Sequence, residues 1–240
     1  MRLSRFYTDH PLVADTDVVL DGDQAHYLGK VLRVKPGQQC LLFNSRDGEF
    51  LAEVTDVSKR EVRLHVLEPR DATPDSVLSV HLGLGLSRGE RMDYAIQKAT
   101  ELGVTEITPL FTEFSEVKLS HERADKRAAH WQKVAISASE QCGRCSVPAI
   151  NSPIMLNDWV SDAPAGQGFM LDHTGTEGFT GAAPSAVWLL VGPEGGTSDT
   201  EKNLAIAAGF TTVRLGPRVL RTETAPVVAL TALQLKWGDF

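Results

Sequence analysis

The sequence predicts two units of different class: a small all-β barrel over residues 1–72, then an α/β domain over 73–240 built on a mostly parallel sheet. Three observations predict it. In the first seventy residues, short apolar runs alternate with polar side chains at the two-residue period of strands. Pro69-Arg-Asp-Ala-Thr-Pro-Asp-Ser76 then concentrates turn formers and marks a boundary. Beyond it, β-rich runs and helical periods take turns, the pattern of a parallel sheet covered on both faces.

Element by element, Leu41-Leu42-Phe43 leads into Asn44-Ser45-Arg46-Asp47-Gly48. There Asp-Gly beside the alternating Phe50, Ala52 and Val54 signals a hairpin. Val62, Leu64 and Val66 alternate with Arg63 and His65 in the same way. Val77 to Leu86 is a β-rich run. Met92, Ala95, Ile96, Ala99 and Leu102 follow at helical spacing, with Gly103 placed for a left-handed C-terminal cap. Ile107 to Phe111 reads as a strand, and Ala124, Ala128, Trp131, Ala135 and Ala138 line one face of a long helix. Trp188 to Val191 is a buried strand, Ala205 to Ala208 lies in a helix, Thr211 to Leu215 is a strand, and Val227 to Trp237 is a closing helix.

Composition narrows the function. The chain has 240 residues, with 24 Lys+Arg against 31 Asp+Glu, a net charge of −7. Net acidity argues against sequence-blind binding of polyanions, which draws its affinity from cations that neutralise phosphates. Residues 1–70 hold 10 Lys+Arg and 11 Asp+Glu, so most of the acidity lies further on and a nucleic-acid footprint fits the first unit better. Cys40, Cys142 and Cys145 are too few and odd in number for a disulfide framework, which suits a reducing compartment. The longest uncharged run, Gly178 to Pro193, has 16 residues broken by Gly181, Pro184 and Gly192, too short for a membrane span. Asp9 and His10 fall where a signal peptide needs an apolar stretch. A soluble cytoplasmic protein without membrane contact is expected.

Several motifs carry little chemistry. Gly83-x-Gly85-x-x-x-Gly89 is one residue too long for a dinucleotide fingerprint. Cys142-Gly-Arg-Cys145 is a lone pair of thiols beyond a helix, without the second pair or nearby histidines that zinc requires, so no metal is expected. Two later segments differ in quality. Val191-Gly-Pro-Glu-Gly-Gly-Thr-Ser-Asp-Thr-Glu201 runs from a buried strand through a glycine-rich turn into a helix that the Ser198/Glu201 pair caps. Gly192, Gly195 and Gly196 permit positive φ and the close approach of a ligand to the backbone. Leu215-Gly-Pro-Arg-Val-Leu-Arg-Thr-Glu-Thr-Ala225 again follows a strand and precedes a helix, with Leu215, Val219 and Leu220 suggesting a lined pocket. Ligands of open α/β sheets bind at such carboxyl ends of strands.

Together these two segments resemble the cofactor loops of the bacterial 16S ribosomal RNA uridine-N3 methyltransferase family, which belongs to the SPOUT superfamily of knotted methyltransferases. Arg5-Phe6-Tyr7, His26-x-Leu-x-x-Val-Leu-Arg33 and Pro36-Gly37 are similar to its N-terminal barrel, a PUA- or OB-like module. Lys98-x-x-Glu-Leu-Gly103 and Glu140-Gln-x-Gly-Arg144 match its internal signatures, so the resemblance covers nearly the whole chain. Thr197 stands where the family often has an apolar residue, and Pro226 enters the first turn of the last helix, where proline is tolerated.

The resemblance implies methyl transfer from S-adenosylmethionine to N3 of one uridine in the 16S rRNA of the small ribosomal subunit, by a homodimer whose C-terminal segment threads a trefoil knot. It implies cofactor contacts at Leu190, Gly192, Gly195, Gly196, Leu215, Gly216 and Leu220. Arg221 is the expected stabiliser of charge developing on O2 and O4 of the uracil, since a guanidinium is a directional fork. Glu223 or Glu194 is the expected proton acceptor, on condition that burial raises its pKa; for both, helix capping or a salt bridge with Arg218 is the alternative role. Arg2, Arg5, His26, Lys30, Arg33 and Lys35 are expected to face RNA, as is Arg88 from a partner subunit. Three rivals stay open: a related enzyme acting on ribose 2′-O or another base, a non-catalytic RNA-binding factor, and a nicotinamide oxidoreductase.

Overall fold

The computed structural model describes residues 3–117, 120–163 and 166–240. The chain forms two compact units: one takes it up to Asp75 together with Ser139–Val147, the other takes Ser76–Ala138 and Pro148–Phe240. Arg2 lies outside the described residues.

In the first unit, β1 (Arg5–Tyr7) and β2 (Asp17–Asp21) precede a short helix α1 (Gly22–His26), a π-helical turn (Tyr27–Val31), and then β3 (Gln39–Asn44), β4 (Gly48–Val57) and β5 (Glu61–Arg70). They form a five-stranded sheet ordered β1-β3-β4-β5-β2, antiparallel except where β1 runs parallel to β3. The predicted hairpin is present: Asn44 Oδ1 accepts from the N–H groups of Arg46 and Asp47, and Gly48 takes the left-handed φ of 87° that the turn needs. Val62, Leu64 and Val66 are fully buried, with Leu20, Leu28 and Leu42 in the same core. Alternation fails once. Between Phe50 and Ala52 the pairing with β5 shifts register at a β-bulge, and Leu51 between them is buried too although it lies outside the core cluster that Ala52 and Val54 join.

Arg5 is a correction to the expected RNA surface. Its side chain is 6% exposed, and its Nε donates to Glu49 Oε2 at 2.5 Å. Its Nη atoms donate to the carbonyls of Ser139 and Arg144, and its guanidinium lies over the Phe43 ring. A cation whose donors are consumed inside the protein is not available to a phosphate. Through these bonds, and the Tyr7 N–H donating to Glu140 Oε1, the Glu140–Arg144 signature joins the first unit. Burial pushes the Glu140 carboxyl up from its ordinary value, against that hydrogen bond and the Arg5 charge.

The second unit begins with β6 (Ser79–Gly85), α2 (Glu90–Glu101) and β7 (Glu106–Phe111), followed by α3 (His121–Cys142), whose last turn belongs to the first unit. Then come β8 (Ala149–Ile150), β9 (Ile154–Met155), α4 (Leu156–Ser161), β10 (Gln167–Leu171), β11 (Ala186–Val191), α5 (Asp199–Ala207), β12 (Thr211–Val213) and α6 (Ala225–Trp237). The sheet order is β12-β10-β11-β6-β7-β8, with β9 also pairing β7, and every pairing is parallel. This is the covered parallel sheet that the strand–helix alternation predicts. Gly103 takes φ 82° beyond α2, where Gln234 of α6 donates to the Leu102 carbonyl and accepts from Ser76 Oγ. Among the described residues, no helix is long and apolar enough to cross a membrane.

Candidate active site

β10, β11 and β12 are neighbours, so the chain leaves all three at one edge of the sheet and the segments that follow line a common cavity of about 460 Å³. That volume lies within the range of small-molecule sites. The Gly192–Thr197 turn after β11 forms one wall and the Leu215–Glu223 loop after β12 the other. The turn is shaped by its glycines, though only Gly196, at φ 74°, uses the left-handed region. Gly195 is a matter of space: a Cβ there would stand 2.8 Å from Cβ of Phe114 and 3.0 Å from its carbonyl oxygen. The turn ends in the predicted capping box, in which Ser198 Oγ accepts from the Glu201 N–H and Glu201 Oε2 accepts from the Ser198 N–H. The other oxygen of Glu201 accepts from the Glu113 N–H, tying the segment after β7 to the same helix start.

The cavity wall carries alternating charges. Arg91, from the first turn of α2, donates through Nη1 to Glu194 Oε1 at 2.7 Å, and its Nε lies 4.0 Å from Glu223 Oε2. Arg221 Nη1 lies 3.9 Å from the other oxygen of Glu223. Burial pushes the Glu194 carboxyl up, but hydrogen bonds from its own N–H, Arg91 and the Arg88 N–H outweigh it and hold the group below the ordinary carboxylate value. On the opposite side Lys202 Nζ is 2.6 Å from the buried Asp172, which also accepts from the N–H and hydroxyl of Thr174. Burial acts to raise the Asp172 carboxyl, and these bonds bring it down overall.

Of the residues singled out from sequence, Gly192, Glu194, Gly195, Gly196, Leu215, Gly216, Leu220, Arg221 and Glu223 all line this cavity. Leu190 does not: its side chain is 1% exposed in a core cluster with Trp159, Trp188 and Phe210, and the next residue, Val191, lines the cavity instead. The cause is the pleat, which sends successive side chains of β11 to opposite faces. Burial raising the pKa of Glu194, the condition set for its role as base, is not met. Sequence reasoning missed Arg91, Asp172 and Lys202. Arg91 carried no signal beyond its place on a helix, because its partners lie more than 100 positions away.

Arg88 is exposed and paired with Glu116 at 2.8 Å. In the first unit Lys30, Arg33 and Lys35 are exposed, Arg33 with a left-handed φ of 53°. His26 borders a shallow concavity that also takes in Lys59 and Arg60, two cations that the sequence reading passed over. Cys145 is buried, which pushes its thiol up although Arg5 pulls the other way, so it has no activated thiolate. Among the described residues no cluster of three or more His, Cys, Asp or Glu side chains is arranged to hold a metal.

The model of the RNA methyltransferase domain matches residues 74–234, and that of the RNA methyltransferase PUA domain matches residues 20–67. Ribosomal RNA small subunit methyltransferase E of Buchnera aphidicola (Schizaphis graminum) is 35% identical over 99% of this chain and 98% of its own. A methyltransferase of Legionella pneumophila, solved in complex with SAM, superposes with a TM-score of 0.96 at 37% identity over all of both chains. Ribosomal RNA small subunit methyltransferase E of Neisseria gonorrhoeae, solved with S-adenosyl methionine, gives 0.90 at 35%, again over all of both chains.

Proposed function

The chain belongs to the RNA methyltransferase family, within the group of ribosomal RNA small subunit methyltransferase E, and from that premise we propose that it methylates N3 of a uridine in the 16S rRNA of the small ribosomal subunit. Its fold is a PUA-like unit with a parallel-sheet SPOUT methyltransferase core, and it is an S-adenosylmethionine-dependent rRNA methyltransferase. The observation that carries the reading is the single cavity shared by the glycine turn after β11 and the loop after β12.

The residues present fit the methyl donor. The Gly192–Gly196 turn brings backbone against the cavity, Val191, Leu215 and Leu220 supply apolar wall, and acids and cations stand on both sides for a zwitterionic ligand. When bound, S-adenosylmethionine supplies an electrophilic methyl group on a sulfonium. The protein must then orient uridine N3 and take its proton. Glu223 suits that proton better than Glu194. Glu194 is committed to Arg91, whereas Glu223, 18% exposed, has both neighbouring guanidiniums near the 4 Å limit of an ion pair. Arg221, 79% exposed beside it, is free to swing toward the uracil oxygens as charge develops there.

The wider proposal assigns RNA positioning to residues 1–72, through His26, Lys30, Arg33 and Lys35, and chemistry to residues 73–240. It includes cytoplasmic location, the trefoil threading and a homodimer in which Arg88 reaches the partner's RNA. Support for the dimer comes from α6, which keeps Val228 and Leu235 exposed on an otherwise apolar helix. The test incubates the purified protein with labelled S-adenosylmethionine and 30S particles from a strain lacking the modification, then digests the RNA. Label in 3-methyluridine is expected; label in another nucleoside or in ribose would overturn the assignment.

A further inference from the structure

Arg91 forms ion pairs with both loops of the cavity. It lies in the first turn of α2, and its fork ends at Glu194 in the glycine turn on one side and at Glu223 in the late loop on the other. The two bonds are unequal. The contact to Glu194 is a 2.7 Å hydrogen bond, while that to Glu223 is an ion pair at 4.0 Å. Glu194 is held a second time by the Arg88 N–H, so two hydrogen bonds tie the start of α2 to the glycine turn. Among the described residues Glu223, by contrast, has only the Thr222 hydroxyl as a hydrogen-bond partner. The other charged or titratable groups lining the cavity are Arg218 and Arg221 in the same loop, Arg214 just before it, and Asp172, His173 and Lys202, with the Arg88–Glu116 pair beside the helix start.

We infer that Arg91 is a positioning residue that locks the glycine turn through Glu194 and leaves Glu223 as the carboxylate free to accept a proton. The inference deepens the proposed reading and rests on it. A guanidinium is suited to the task because its planar fork spans two acceptors at once, which an ammonium cannot do from one position. Removing it leaves the turn tied to α2 by the Arg88 N–H alone and takes one cation from beside Glu223, whose remaining neighbour is Arg221 at 3.9 Å. Loss of a neighbouring cation raises a carboxylate's proton affinity.

The test compares Arg91→Ala and Arg91→Lys with the wild-type protein by calorimetry with S-adenosylhomocysteine, by thermal melting of the ligand-free protein and by the pH profile of turnover. Arg91→Ala is expected to weaken ligand affinity about tenfold, the scale of a lost charged hydrogen bond, and to move the acid limb of the profile to higher pH. Arg91→Lys is expected to return the acid limb toward wild type, because the charge is restored, while affinity stays weakened. A purely structural role would lower the melting temperature and the rate without moving the limb, and that result overturns the inference. Unchanged affinity in Arg91→Ala overturns it too. If Arg91→Ala does not fold, wild-type affinity in Arg91→Lys is enough to do so. Failure of the underlying reading has a separate signature: the wild-type protein would not bind the ligand.

Discussion

At Gly85 the last residue of β6 passes beneath the turn of a neighbouring strand, where a Cβ would overlap the backbone nitrogen of Pro193 and its ring. Backbone cannot yield as a side-chain tip can. Gly85→Ala should therefore destabilise the protein by about 1–3 kcal/mol and weaken S-adenosylmethionine binding by displacing Pro193, as chemical denaturation and calorimetry would show; wild-type values in both would contradict the packing. From sequence, Gly85 looked like part of a failed dinucleotide motif, since nothing local reveals that Pro193 lies against it. Arg5 teaches the same lesson, because the carbonyls that consume its donors lie 134 and 139 positions downstream. Glu194 yields a pH prediction with a definite sign. Its folded-state pKa is lowered, so the stabilisation is complete above the ordinary carboxylate value of about 4.3 and is lost as pH falls through the folded value. Stability of the wild type should fall more steeply than that of Glu194→Gln below that value in acid denaturation, and parallel curves would refute the assignment.

At the scale of elements, what was legible was what local rules encode. Ser198 with Glu201 three residues on gave the start of α5, and the structure has Ser198 as the N-cap. Ser198→Ala should cost about 1 kcal/mol in denaturant unfolding, and Glu201→Ala more, because Glu201 also receives the Glu113 N–H. Equal costs would mean that the link to Glu113 contributes nothing. The strands and helices with clear periods appeared at their expected places. In the first unit the sequence reading did not mark β1, β2, α1 or the π-helical turn, and in the second it missed β10, α4, and the two-residue strands β8 and β9. β10 is short and carries Gly168, a weak strand former whose place is explained by the Phe210 ring pressed onto it. Such a strand is stabilised by what covers it, and its own five residues do not show that.

For the whole molecule, the strand–helix alternation announced a parallel sheet but could not give the order β12-β10-β11-β6-β7-β8. Periodicity says which face of an element is buried, not which strand lies beside it. Yet that order makes the site, since it sets β10, β11 and β12 side by side and gathers Asp172, the glycine turn and the late loop around one cavity. The two loops were legible because glycines and charged residues follow apolar strands there; Arg91, Asp172 and Lys202, which also line the cavity, enter only through the topology. The net charge of −7 has a molecular reading as well. Lys30, Arg33 and Lys35 are nonetheless exposed in the first unit, and cations of this kind orient a phosphate backbone without specifying sequence. The most direct test of the account is single-turnover methyl transfer to 30S particles by Glu223→Gln and Glu194→Gln, with cofactor affinity measured alongside. The account predicts that Glu223→Gln slows transfer by about 10²–10⁴-fold at wild-type cofactor affinity, while Glu194→Gln mainly weakens the cofactor. Wild-type transfer by Glu223→Gln would contradict it.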